Sequence, residues 1–326
     1  MKKIIWALLD DRMGSVGQAK GVLQELSEDF EIVEKHIVYN KFAALPNFLR
    51  GKHFLLGINK KESDDLIGAP DIILSTSRRT TPIALWIKRR LKNKVKIVQL
   101  MFSGKYGLSD IDLLVVPEHD KGKTSAKNVF YIVGCPHRVN DKTLQEAKEK
   151  WENIFENLPR PLTAVLVGGA IKNKPFSEEN AKLLAQNILN VYEKIGGSIL
   201  ITTSRRTGKN AEDIIMSAIK DIPTYTFLWG EKKENPIMGF YACADRIIVT
   251  GDSVSMTCEA CGTGNDVLIF EGKNWLTKKH SAFIKSVTNN NYATRIEDTN
   301  AVNFKPRKKL LTSKDVAAKI EELASI

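Results

Sequence analysis

The residues from Arg246 to Gly264 have the types and spacing that hold a phosphate. A β-branched run (Ile247, Ile248, Val249, Thr250) leads into a tight polar turn with Asp252 and Ser253. A helical segment follows, with Met256, Ala260 and Cys261 at inward spacing. Asp252 and Ser253 both carry side chains suited to an N-cap. The first-turn amides beyond them lack intrahelical partners and lie at the positive end of the helix dipole, so a bound anion satisfies both. Ser253, Ser255 and Met256 are therefore expected at a diphosphate. Glu259, further along the helix, is placed to receive the two hydroxyls of a ribose.

Two further loops offer anion chemistry. The phrase Ser-Arg-Arg-Thr occurs twice, at Ser77, Arg78, Arg79, Thr80 and at Ser204, Arg205, Arg206, Thr207, each time where a strand gives way to a helix. Its hydroxyls and helix-start amides supply neutral donors, and an arginine supplies a charged planar fork. Gly168-Gly169 follows the apolar strand Leu162 to Val167, and Asp10-Asp11-Arg12-Met-Gly14-Ser-Val-Gly17-Gln18 follows the apolar run Lys3 to Leu9. Both loops sit where doubly wound folds bind ligands, at the carboxyl edge of a parallel sheet. The first lacks G-x-G-x-x-G spacing, which argues against a nicotinamide dehydrogenase.

The elements that must position these loops alternate. Strand-like runs at Glu31 to Val38, Asp71 to Thr76, Val95 to Met101, Asp112 to Val116 and Val129 to Val133 are separated mostly by helical stretches, and the second half repeats the pattern. The expected fold class is α/β, with two Rossmann-like domains of mostly parallel sheet. Val139 to Leu158 predicts a long helix that Pro159-Arg-Pro161 ends, which sets the domains at residues 1–158 and 159–311. Residues 312–326 predict a closing amphipathic helix, with Val316, Ile320 and Leu323 on one face.

At 326 residues, with 43% hydrophobic and 27% charged residues, the chain can bury a full core in each half. It has no apolar run of the roughly 20 residues needed to span a bilayer, and Asp10-Asp11 comes too early for a signal peptide, so a cytoplasmic location is expected. Four scattered cysteines make no disulfide framework, and Cys258-x-x-Cys261 has no second ligand pair at zinc spacing. A net charge of +11 calls for an acidic partner. No helix-turn-helix, zinc-finger or RNP-type pattern appears, which leaves nucleic acid out. The densest basic cluster, Lys88 to Lys94, is suited to an anionic membrane surface and predicts peripheral association.

The run Asn235-Pro236, then Ala244-Asp245-Arg-Ile-Ile-Val-Thr250-Gly-Asp252-Ser253-Val-Ser255-Met256-Thr-Cys-Glu259-Ala260, closely resembles the bacterial branch of the plant mitochondrial-fission-protein family. Members of that branch are commonly described as GT-B glycosyltransferases. The Asp11-Arg12-x-Gly14-x-x-x-Gln18 loop and the Ser-Arg-Arg-Thr phrases resemble the same family, so the likeness covers most of the chain.

The resemblance implies two domains facing a cleft, with a nucleotide-diphosphate sugar on the C-terminal one and a glycan or glycolipid acceptor on the N-terminal one. It also implies a final helix that crosses back to the first domain. On this reading Gly168, Gly169, Ser204 to Thr207, Asp252, Ser253, Ser255 and Met256 hold the donor diphosphate, and Glu259 holds its ribose. Arg12, Gly14, Gln18, Ser77, Arg78 and Arg79 face the acceptor. No cofactor and no metal are required, because amides and Arg205 or Arg206 meet the charge of the departing diphosphate. The base on the acceptor hydroxyl is sought among Asp10, Asp11 and His137, with Asp11 first. Gly264-Asn265-Asp266 and Ile237 depart from the family pattern, which has Gly-Lys-Pro and an aromatic there. The alternatives are a non-enzymatic nucleotide-binding protein of membrane remodelling and a sugar-nucleotide epimerase.

Overall fold

The computed structural model describes residues 2–52, 55–298 and 304–325. The chain divides into two compact units, one made of Met1–Arg138 with Leu311–Ile326 and the other of Val139–Leu310.

The first unit runs β1 (Lys3–Leu9), α1 (Met13–Leu23), β2 (Phe30–His36), α2 (Asn47–Lys52), β3 (Ile72–Ser75), α3 (Thr81–Arg90), β4 (Lys96–Leu100), β5 (Leu113–Pro117) and β6 (Val129–Ile132). Its six strands pair in parallel in the order β2-β1-β3-β4-β5-β6. β1 reads as continuous hydrophobic sequence because both its faces are covered. Ile5, Ala7 and Leu9 pack with Ala19, Val22 and Leu23 of α1, while Trp6 and Leu8 pack with Ile83, Ala84 and Ile87 of α3.

The second unit runs α4 (Asp141–Phe155), β7 (Leu162–Val167), α5 (Glu178–Ile195), β8 (Ser198–Thr203), α6 (Lys209–Ala218), β9 (Thr224–Phe227), α7 (Ile237–Cys243), β10 (Arg246–Thr250), α8 (Val254–Thr263), β11 (Asp266–Phe270), α9 (Lys278–Asn289) and β12 (Thr294–Arg295). Its parallel sheet has the order β12-β11-β10-β7-β8-β9. The chain winds outward from β7 in one direction and from β10 in the other, so the topological switch lies between those two strands, where a doubly wound sheet opens a crevice. At the opposite edge Arg246 and Asp266, paired residues of adjacent strands, form a fully buried ion pair with Nε–Oδ2 at 2.8 Å.

The boundary falls before α4, not after it as the proline pair suggests. The physical cause is aromatic. Trp151 and Phe155 stack one turn apart on α4, and Phe155 meets Tyr225 and Phe240 at ring-centroid distances of 5.1 and 5.9 Å. Gly239 makes room for this packing, since a Cβ there would lie 2.3 Å from Trp151 Cγ. α10 (Thr312–Ser325) belongs to the first unit and packs on α1, with Val316, Ala317 and Ile320 in the core beside β1.

Candidate functional site

The strand ends at the β7/β10 switch carry the loops that the sequence marks. Ser253 caps α8, its Oγ accepting from the Met256 amide, so the cap is Ser253 and not Asp252. Asp252 turns the other way. Its buried carboxylate accepts from the Gly169 amide at 2.9 Å and from Thr250 Oγ1 at 2.8 Å, and it pairs with Arg206 Nη1 at 2.7 Å. Arg206 also donates to the Ala170 carbonyl at 2.8 Å. These two expected diphosphate ligands therefore neutralise each other and fasten three loops together. A carboxylate so placed would repel a phosphate, and the charge of the arginine beside it is already compensated.

Gly168 and Gly169 owe their identity to this fastening. A Cβ at Gly168 would stand 2.1 Å from Asp252 Oδ1, and one at Gly169 would stand 2.0 Å from the Arg206 backbone. Trp275, fully buried, donates from Nε1 to the Gly169 carbonyl at 3.2 Å. Ser204 and Thr207 are also internally used, both donating to the Gly168 carbonyl, and Ser204 N–H donates to Thr207 Oγ1 at 2.9 Å. Arg205, exposed, is held by no hydrogen bond or ion pair among the described residues.

Arg205 and Met256 line a cavity of about 370 Å³ at this strand edge, together with Phe227, Trp229, Asn235 and Ile237. The volume lies in the range of small-molecule sites, with apolar walls and a few polar groups. Its wall is braced. Thr203 Oγ1 donates to the buried Glu212 at 2.6 Å and accepts from the Trp229 amide at 2.9 Å. A roomier hollow of about 550 Å³ in the first unit, among Lys105, Lys123 and Lys127, is formed by loop residues away from every marked motif.

Glu259 is half-buried and accepts from Tyr241 Oη at 3.0 Å. Burial first, then the Glu259 charge, raises the Tyr241 pKa well above its ordinary value, so the phenol stays a donor. His280, at the start of α9, bonds Thr277 Oγ1 through Nδ1 at 2.7 Å and reaches the Asp252 backbone. Burial holds its pKa below the ordinary histidine value. Trp229, Tyr241, Trp275 and His280 escape sequence reasoning because none belongs to a loop motif. Only the strand and helix starts beside them give a signal.

The first unit repeats the loop grammar in three dimensions. Ser77 N–H donates to Thr80 Oγ1 at 3.0 Å and Arg79 N–H to Ser77 Oγ at 3.2 Å, the same bonds that Ser204, Arg206 and Thr207 make. Again the second arginine meets carboxylates of a neighbouring strand end, since Arg79 pairs with Asp10 at 3.3 Å and with Asp11. Asp10 is buried and also accepts from the Arg12 amide, so its role is structural. Asp11 is exposed, and the hydrogen bond from Arg79 holds its carboxyl below the usual carboxylate range. Arg12 and Gly14 are exposed at the start of α1, and Gln18 is half-buried in its middle. Nothing lies within 4 Å of a Cβ built at Gly14, so packing does not demand a glycine there.

His137 departs from expectation. Its side chain is 3% exposed, and its backbone N–H and carbonyl bond Ser313 Oγ at 2.8 and 2.6 Å in the packing of α1 with α10. A buried residue at that seam cannot serve an acceptor arriving from solvent. The basic cluster is also partly consumed: Lys88 is buried and pairs with Asp112 at 2.5 Å, and Arg90 donates to the carbonyls of Leu66 and Gly68. No helix among the described residues is long and apolar enough to cross a membrane.

Comparison with known proteins gives a consistent result. A family model described as mitochondrial fission ELM1 matches residues 13–323. The chain is 27% identical over 318 residues to the uncharacterized protein RP120 of Rickettsia prowazekii, covering 87% of each. It is 29% identical over 239 residues to the mitochondrial fission protein ELM1 of Arabidopsis thaliana, which spans 67% of this chain and 55% of the plant protein. Among solved structures, the UDP-GlcNAc 2-epimerase of Neisseria meningitidis bound to UDP-GlcNAc superposes with a TM-score of 0.52 at 14% identity, covering 98% of both chains. At that identity the likeness is one of fold, and the fold is GT-B-like.

Proposed function

The chain belongs to the mitochondrial fission ELM1 family, and from that premise we propose that it is a GT-B-type glycosyltransferase using a nucleotide-diphosphate sugar. One observation carries the reading. At the β7/β10 switch, Asp252 neutralises Arg206 and leaves Arg205 uncommitted beside the α8 N-terminus and a cavity of about 370 Å³. The cavity suits a nucleoside, and Arg205 with the α8 amides suits its diphosphate. The solved epimerase of like fold holds UDP-GlcNAc, which supports a sugar nucleotide as the ligand class.

In this mechanism the departing diphosphate gains negative charge as the glycosidic bond breaks. Arg205, the first-turn amides of α8 and the hydroxyls of Ser253 and Ser255 meet that charge from fixed positions, so no metal is called for. Asp252, Arg206, Gly168 and Gly169 hold the geometry and do not touch the ligand. Glu259 receives the ribose hydroxyls with one oxygen while Tyr241 orients the other. In the first unit the exposed Asp11 is the candidate base for an acceptor hydroxyl, its basicity lowered by the ion pair with Arg79. The acceptor is a surface glycan or its lipid-linked precursor, met by the protein as a peripheral guest on anionic membrane.

Calorimetry against a panel of nucleoside diphosphates and their sugars tests the donor half, and one nucleotide should bind with unit stoichiometry. Product analysis with and without acceptor tests the transfer. Sugar released or inverted at C2 in acceptor-free buffer would replace transfer by epimerisation, and a panel with no binder would end the enzymatic reading.

A further inference from the structure

The first unit holds one buried guanidinium that no carboxylate among the described residues neutralises. Arg50, on α2, is 2% exposed, yet its guanidinium is paired with no carboxylate among the described residues. It donates to the Arg79 carbonyl at 3.0 Å and weakly to the Leu56 carbonyl at 3.5 Å, and its Nη1 has no partner. Arg79 lies beside it, its guanidinium 4.4 Å from the Tyr39 ring centroid, with Arg50 5.9 Å from the same ring. Arg78 completes the group. It is exposed and donates to the carbonyls of Leu45 and Ala43 at 3.1 and 3.4 Å, with no carboxylate of its own among the described residues. Asp10 and Asp11 both go to Arg79.

Two guanidiniums, those of Arg50 and Arg79, thus lie over one aromatic ring, and both carboxylates go to Arg79. Burial, then the charges of Arg78 and Arg79, push the Arg50 pKa below its ordinary value, which marks the three as electrostatically close. A buried guanidinium without a counter-charge is costly, and a phenol face compensates only in part. Other buried polar atoms of the same segment also lack partners: Tyr39 Oη, Asn47 Nδ2 and Arg79 Nε. Arg206, the arginine of the second unit that matches Arg79, likewise meets a carboxylate, Asp252, so the uncompensated cation is Arg50.

We propose that Arg50 and Arg78, brought together beside Arg79 and Tyr39, form an anion site for a phosphate or diphosphate group, with Arg78 as the member that reaches solvent. A multiply charged phosphate supplies the missing counter-charge, and planar forks are the groups that grip it. The site lies wholly in the first unit, so it stands or falls independently of any nucleotide in the second. Phe42, Phe48 and Leu49 are exposed on the segment that Arg78 clamps, so the phosphate is either free or the head of an ester with an apolar tail.

Hydrogen exchange read by mass spectrometry on the full chain tests the site, because peptides report each unit separately. Inorganic pyrophosphate should slow exchange in peptides covering residues 39–50 and 77–81. Arg78→Gln should raise the midpoint of that protection at least tenfold, and Arg78→Lys, which keeps the charge, should restore it to within about threefold. A structural role for Arg78 would instead change exchange without ligand and leave the midpoint alone. A short-chain alkyl diphosphate forms the second arm. Tighter protection that extends over Phe48 and Leu49 identifies a tailed ester, and equal protection identifies the free anion. The proposal is overturned if pyrophosphate protects neither peptide, or if the Arg78→Gln midpoint equals that of the wild type.

Discussion

Arg206 and Asp252 form an ion pair at 2.7 Å in which the carboxylate is fully buried and neutralises the guanidinium, so the adjacent Arg205 is the uncompensated cation beside the cavity. The two arginines should therefore fail in different assays. Arg205→Ala is expected to weaken nucleotide-diphosphate binding by about 1.5–3 kcal/mol without moving the melting temperature. Arg206→Ala is expected to destabilise the fold by about 1–2 kcal/mol, less than for a fully buried pair because the Arg206 side chain is partly exposed and Gly169 and Thr250 still hold Asp252. Calorimetry and thermal melts on both variants decide it. A stable Arg206→Ala that loses nucleotide would reverse the assignment.

Glu259 serves both a phenol and, on the proposed reading, a ribose. Glu259→Ala removes a partner of the buried Tyr241 hydroxyl and should cost about 1–3 kcal/mol of stability besides affinity. Glu259→Gln keeps an acceptor for Tyr241 and loses only the charge, so its melt should match the wild type while nucleotide affinity falls. Unchanged affinity in Glu259→Gln would show that the carboxylate is there for Tyr241 alone.

His280 gives the second unit a pH dependence. Its folded pKa lies below the unfolded value of 6.5 because burial disfavours the charged ring. The unfolded state therefore binds the proton first, and stability present above pH 6.5 is lost as the pH falls through and below that value. Denaturant midpoints measured from pH 7.5 to 5 should decline in the wild type and decline less in His280→Gln. Parallel curves would assign the decline to other groups.

Membrane association, if electrostatic, now rests on fewer residues than the basic run contains, because Lys88 and Arg90 are engaged within the first unit. Substituting Arg89, Lys92 and Lys94 together by glutamine should reduce pelleting with anionic vesicles, at about 1 kcal/mol for each residue near the surface. Wild-type pelleting should fall at 1 M salt, where the Debye length is about 3 Å. Pelleting that ignores both changes would remove the basic cluster from the account.

What the chain by itself determined is the alternation of its elements and the position of its loops. Continuous apolar runs such as Lys3–Leu9 and Arg246–Thr250 can only be strands covered on both faces, and the glycines and hydroxyls after them must lie at the carboxyl edge. The doubled Ser-Arg-Arg-Thr was also legible as a phrase at a strand end, but that its hydroxyls and amides bond one another was not. What only the tertiary structure decided is which polar residue answers which. Arg205 and Arg206 are neighbours of one type, and nothing local says that Asp252, 46 residues beyond Arg206, will claim the second. His137 reads as a titrating group after a strand until α10 returns to bury it, and α4 reads as the end of one unit until Trp151 and Phe155 meet the aromatics of the other. Arg50 carries no motif, and its buried charge has meaning only through Tyr39, Arg78 and Arg79, which the fold brings to it. Periodicity is a local property of a chain, whereas charge compensation and burial depend on partners far away in sequence.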